Sequence, residues 1–169
     1  MRALHKAAIE FIEQISLQAE SAGFSRISGR IIGLLVIEQK PLSFDDLASD
    51  LQISRGSVSA NTQLLEARRV IRRVSRIGKR KDFFELDPDF PERFLERHLT
   101  DQRALRQIAV DTRHKLPDRY KNSKEALHRV EQFCAMAVTA TENMLEEWRY
   151  LDRKSKNAES VDSAREPHE

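Results

Sequence analysis

The chain reads as mainly α with a small β-hairpin, and three observations carry that reading. Apolar residues recur at three- and four-residue spacing over most of its length, in segments broken at 21–23, at Lys40-Pro41 and at Pro117. Two short runs rich in β-branched and aromatic residues, 70–75 and 83–86, flank a charged loop with a turn signal at Gly78. A final apolar stripe, roughly 118–151, is longer than a small domain can cover and calls for another helix beside it. At 169 residues with 33% charged and 7% aromatic content, the chain has room for one or two helix-rich domains with a real core.

Taken in order, residues 3–20 place Leu4, Ala8, Phe11 and Ile15 on one side of a first helix. That narrow stripe suits docking on the domain core or on a partner subunit. The next helix, about 26–38, carries Ile27, Ile31, Leu34, Leu35 and Ile37. Gly29 and Gly33 inside it each lower helix propensity by about 1 kcal/mol. Their four-residue spacing predicts a groove for close packing of a neighbouring element. After Lys40-Pro41, Ser43 caps a short helix, with Asp46 three positions on completing an approximate capping box and Asp45 beside it at the positive end of the dipole. Gln52-Ile53 makes a tight turn, and Ser54 caps the following helix, 54–67.

On that helix Val58, Thr62 and Leu65 form the inward stripe. Gly56, Ala60, Gln63 and Ala67 make a small, weakly polar outer side, over which a large rigid object can approach the backbone. Behind it, residues 54–81 hold nine Lys/Arg against the single acid Glu66, a local +8 in a chain whose net charge is +2, so the remainder sums to −6. Two ordered helices with a tight turn, followed by a basic hairpin, are the layout of a winged helix-turn-helix, a reader of double-stranded DNA. In that layout Arg55 reaches a phosphate or a guanine edge, and Gln63 pairs with adenine. Ser54, Ser57 and Ser59 are divided evenly between cap or surface chemistry and DNA contact. Gly56 and Ala60 give the close approach, and Asn61 either braces the turn or touches DNA. In the hairpin, Arg72, Arg73 and Arg76 cannot all face one way. Arg76 and the tip residues Lys79, Arg80 and Lys81 are the expected phosphate or minor-groove contacts.

Beyond the hairpin, residues 92–116 and 118–151 read as two helices, the second carrying Leu127, Val130, Cys134, Thr141, Leu145 and Trp148 on its stripe. The single cysteine, Cys134, excludes a disulfide framework and a cysteine zinc site and fits a reducing compartment. No segment reaches membrane-spanning length, and Glu10 and Glu13 within the first apolar pattern exclude a secretory signal. A cytoplasmic location is expected. The histidines His5, His98, His114, His128 and His168 are dispersed without metal-ligand spacing, and the chain has no phosphate loop or nucleophile motif, so neither catalysis nor a cofactor is expected.

Three blocks resemble the GbsR branch of the MarR-type winged-helix transcriptional regulators: Gly-Phe-Ser-Arg-Ile-Ser-Gly-Arg-Ile-Ile-Gly-Leu-Leu at 23–35, Ser-Arg-Gly-Ser-Val-Ser-Ala-Asn at 54–61, and Gly-Lys-Arg-Lys-Asp-Phe-Phe-Glu at 78–85 with Asp-Pro-Asp-Phe behind it. The likeness is specific over about 1–90 and extends to the C-terminal helices only in character. It implies a cytoplasmic homodimer on a near-palindromic operator, helices from both ends of the chain building the dimer, and a small-molecule effector between dimer and DNA-binding parts. One departure stands out. Where the family has Trp-Gly after the recognition helix, this chain has Arg68-Arg69, so the helix must stop without glycine.

The expected organisation is therefore an N-terminal helix joining the dimerisation region (1–22), a winged helix-turn-helix (23–90), a helical dimerisation arm (91–151) and a disordered tail (152–169). The expected function is a sequence-specific DNA-binding transcriptional regulator, a repressor in sign, acting as a homodimer and open to effector control. The alternatives are a winged helix used for protein contact and a non-specific DNA binder.

Overall fold

The computed structural model describes residues 4–75 and 81–163. Its order is α1 (Lys6–Ser21), α2 (Arg26–Glu38), β1 (Leu42–Ser43), α3 (Phe44–Asp50), α4 (Arg55–Ala67), β2 (Ile71–Val74), β3 (Phe83–Leu86), α5 (Phe90–Lys115), a 3-10 turn (Asp118–Tyr120) and α6 (Lys121–Ser163). The chain divides into two compact units at Phe90–Pro91. None of the described helices is long and apolar enough to cross a membrane.

The first unit is organised by the close approach of α1 to α2. A β-carbon added at Gly29 would lie 2.5 Å from Ser16 Cα, and one at Gly33 would lie 3.0 Å from Ile12 Cα. The paired glycines therefore admit the backbone of α1, which is the groove their spacing predicts. Ile12 enters the core beside Ile31, Leu34, Leu35, Leu47, Val58, Leu65 and Phe84. Ile9 and Leu17 on α1 stay exposed.

Three helices of this unit stop in the same way, with a left-handed residue just past the cap. Gly23 ends α1 at φ 79°, with Gly23 N–H donating to Glu20 O and Phe24 N–H to Ala19 O. Gln52 does the same for α3 at φ 54°, with Ile53 N–H donating to Ala48 O at 3.1 Å. Arg69 does it for α4 at φ 55°, with its N–H donating to Glu66 O and Val70 N–H to Leu65 O, both at 2.9 Å. These are Schellman stops, closed at α4 by the buried pair Val70 and Leu65. The missing glycine is thus replaced by an arginine that accepts the left-handed conformation.

The hairpin is part of a larger sheet than the sequence suggests. β1, β3 and β2 lie side by side in that order, all antiparallel. Leu42 faces Phe84 across one junction, and Ile71 faces Leu86 across the other. Strand β1 has only two residues, too few to show any alternation, and Ser43 both pairs in it and caps α3.

In the second unit α5 and α6 are joined by charged pairs: Arg149 bridges Glu92 and Glu96, each at 2.7 Å, and Arg113 meets Glu131 at 3.1 Å. Only Leu99, Ala109, Cys134, Thr141 and Leu145 of its described residues are buried. Trp148, which its spacing places on the apolar stripe, is only half-buried. Helix α6 continues to Ser163, past the 151 boundary set by the end of the apolar pattern. A helix can run on without apolar contacts where side chains four apart pair, as Lys156 and Asp152 do at 2.7 Å. The expected tail at 152–169 is therefore helical as far as residue 163, and 164–169 lie outside the described residues.

Candidate nucleic-acid interface

Helix α3 is set by its cap. Ser43 accepts from Asp46 N–H at 3.2 Å, and the Asp46 carboxylate accepts from Ser43 N–H at 2.9 Å and from its hydroxyl at 2.6 Å. That hydroxyl bond, the leading cause, holds the Asp46 carboxyl below its ordinary pKa. The Gln52 stop then turns the chain into α4, where Ser54 accepts from Ser57 N–H at 3.1 Å. Val58, Thr62 and Leu65 fix the inner face of α4. Thr62 is tolerated there because its hydroxyl donates to Val58 O at 2.9 Å.

The outer face carries Arg55, Gly56, Ala60, Gln63 and Ala67, all exposed. A β-carbon at Gly56 would find only Ser54 Oγ, at 3.9 Å, so the space before it is open. Ser54 acts as the cap, with Ser57 Oγ 2.9 Å from its own hydroxyl. Ser57 and Ser59 are half-buried. Asn61 is a brace. Its amide donates to Ser57 O at 2.7 Å while its oxygen accepts from the hydroxyls of Ser28, at 2.8 Å, and Ser25. Ser25 caps α2, so Asn61 ties α4 to the start of α2.

The basic stretch behind α4 carries less free charge than its count suggests. Arg72 bonds Glu85, its cross-strand partner, at 2.7 Å. Arg73 donates to Glu66 at 3.0 and 3.1 Å and to Asp82 at 3.0 Å. The Glu66 bond is the leading cause that holds its guanidinium above the ordinary pKa. Arg73 also lies 5.5 Å from the Phe84 ring centroid, and Arg68 lies 4.7 Å from that of Phe24. Asp82 and Glu85 fall just outside the 54–81 window, and that is why a window count missed them. Arg76, Lys79 and Arg80 lie outside the described residues.

Lys81 is described, exposed, and bonded to Asp45 Oδ2 at 2.6 Å. The other carboxylate oxygen of Asp45 meets Arg55 Nη1 at 2.8 Å. The structure thus brings Arg55, at the head of α4, and Lys81, in the hairpin connection, to one acid on α3. The sequence marked Asp45 only as a dipole-compensating residue. Its partners are 10 and 36 positions away, so no local signal reveals the bridge.

A capped helix, a tight turn, a second helix with an open outer face and a three-stranded antiparallel sheet behind it define a winged helix-turn-helix. Comparisons with known proteins agree with that class. The chain is 35% identical over 82 residues to the HTH-type transcriptional regulator MmpR5 of Mycobacterium tuberculosis, covering 48% of this chain and 50% of that one. It is 24% identical over 92 residues to the putative HTH-type transcriptional regulator YvaV of Bacillus subtilis, covering 54% of this chain and 52% of that one. The chain therefore spans about half the length of the curated relatives it matches. A crystal structure of a transcriptional regulator superposes with TM-score 0.66 at 25% identity, covering 85% of this chain and 99% of that one. No family model matches the chain.

Proposed function

We propose that this chain is a sequence-specific double-stranded DNA-binding transcriptional regulator of the MarR type, in its GbsR branch. In this reading it acts in the cytoplasm as a homodimeric repressor under small-molecule control. The observation that carries the reading is the outer face of α4, where Gly56, Ala60 and Gln63 lie exposed beside Arg55. A helix so stripped of bulk suits the major groove, with Gln63 reading base edges and Arg55 and Lys81 on phosphates. Arg76, Lys79 and Arg80 are assigned to the same contact from their sequence position. The regulators to which the chain is similar support this reading.

The homodimer is supported by the arm. Ile108, Phe133 and Met136 expose 62%, 68% and 73% of their surface, large apolar side chains of the kind a helical interface covers. A second copy covering α5 and α6 buries those side chains. Binding-site selection from randomised duplex, followed by competition with random DNA, tests the function. One enriched, near-palindromic motif is expected, with affinity falling about 10³–10⁵-fold between 50 and 200 mM salt if six to ten phosphates are engaged. Gln63→Ala should change the ranking of sequences, and Lys81→Ala should weaken all of them alike. No enrichment with salt-sensitive binding would leave a non-specific binder. No binding at low salt would leave a protein-contact module.

A further inference from the structure

Asp45 and Asp46 are adjacent carboxylates on the first turn of α3, and they do different work. Asp46 is committed to the Ser43 cap. Asp45 is not needed there. Its two oxygens reach outward to separate cations, Arg55 at 2.8 Å and Lys81 at 2.6 Å. Arg55 is held from a second side by Phe44, with its guanidinium 5.5 Å from the ring centroid. Both groups that hold Arg55 are therefore consecutive residues of α3. The Lys81 bond, the leading cause, keeps the Asp45 carboxyl below its ordinary pKa, so the bridge is charged at neutral pH.

We infer that Asp45 is a built-in competitor for DNA: its carboxylate occupies Arg55 and Lys81 in the free protein, and a duplex phosphate must displace it to recruit them. This rests on the DNA-binding reading and adds an affinity-setting residue to it. A carboxylate and a phosphodiester are both oxyanions that accept charge-assisted hydrogen bonds from guanidinium and ammonium groups. Exchange of one for the other replaces contacts of similar kind, so binding to any duplex is weakened by whatever the internal pairs were worth. Dipole compensation at the start of α3 does not account for the geometry. That role needs only proximity to the helix end, whereas here each oxygen meets a cation from a different element.

The test is fluorescence anisotropy of the full chain with a random-sequence duplex at 50, 100 and 200 mM salt. Asp45→Asn keeps the size of the side chain and leaves the Asp46 cap intact. It should raise affinity about two- to tenfold at 50 mM salt, as the release of two exposed ion pairs allows. The gain should shrink as salt rises. Glu10→Gln, which removes the same charge from the exposed side of α1, should change affinity far less. Lys81→Ala should weaken binding more in the Asp45→Asn background than in the wild type, because only there is Lys81 fully free to be lost.

An Asp45→Asn gain no larger than that of Glu10→Gln would overturn the inference. So would strict additivity of Asp45→Asn with Lys81→Ala, which is what simple repulsion between Asp45 and DNA predicts. Wild-type protein that binds no duplex at 50 mM salt would instead overturn the DNA-binding reading, and this inference with it.

Discussion

In the winged-helix unit Ile31, Leu34, Leu47, Val58 and Leu65 are fully withdrawn from solvent. In the arm Ile108, Phe133 and Met136 expose well over half their surface. Both units are largely helical, and both carry regular apolar stripes. The difference lies in what each stripe finds to pack against. Residues 4–90 fold α1, α2, α3, α4 and the sheet around one centre, so every inward stripe meets several others. Among its described residues the arm has two long helices, linked by Arg149, Arg103 and Arg113 to acids on the facing helix. Two cylinders cannot surround each other, so one flank of each remains open. The winged-helix unit is a self-contained core, whereas the arm leaves large apolar side chains such as Phe133 and Met136 in water.

The largest test of that contrast is made on the arm. Phe133→Asp combined with Met136→Asp should leave the winged-helix unit folded while dissociating the proposed dimer. Burial of such side chains contributes about 1.5–3 kcal/mol each, and a two-fold interface counts each residue twice, so dimer affinity should fall by more than about a thousandfold. Sedimentation velocity at micromolar protein checks it, and a dimer that survives both changes removes the arm as the interface. The matching change in the other unit is Gly29→Ala. Its methyl group meets the backbone of Ser16 at 2.5 Å, so α1 must be displaced, at about 1–3 kcal/mol. Chemical denaturation should show that loss to be independent of protein concentration, unlike the arm variant.

A smaller effect in the opposite direction is expected at Arg69. Its φ of 55° is one that glycine adopts without penalty. Arg69→Gly should therefore stabilise the winged-helix unit, by up to about 1 kcal/mol. Unchanged or lowered stability would show that the arginine side chain offsets its own backbone strain. The smallest effect concerns pH. Asp46 has a folded pKa below its unfolded value of 3.8, so its stabilisation is present above that value and fades as pH falls through the lowered one. Asp46→Asn should flatten the acid end of a plot of Tm against pH and leave the neutral region nearly parallel to wild type.

Much of the fold was readable from local pattern. Ser43 and Ser54 are caps because a short hydroxyl before an apolar-periodic run has few other uses. The glycine pair in α2 forecast a close neighbour, and Ser16 and Ile12 proved to be that neighbour. Strand β1 was not readable, since two residues carry no period. The helix stop at Arg69 is not legible in the sequence, because a residue other than glycine accepts a left-handed backbone only where the surrounding contacts demand it. The site was legible in part. The open face of α4 followed from the small size of its residues, which no neighbour can alter. The free charge behind it did not. Arg72 and Arg73 are taken up by Glu85, Glu66 and Asp82, and Asn61 is drawn into the cap of α2.

By itself the sequence determined most of the helices, the Ser43 and Ser54 caps and the inner and outer faces of α4, because those depend on spacing within a few residues. Tertiary structure decided which charges pair. Only folding brings Asp45 to Arg55 and Lys81, and Coulomb attraction acts through space between groups that chain order keeps far apart.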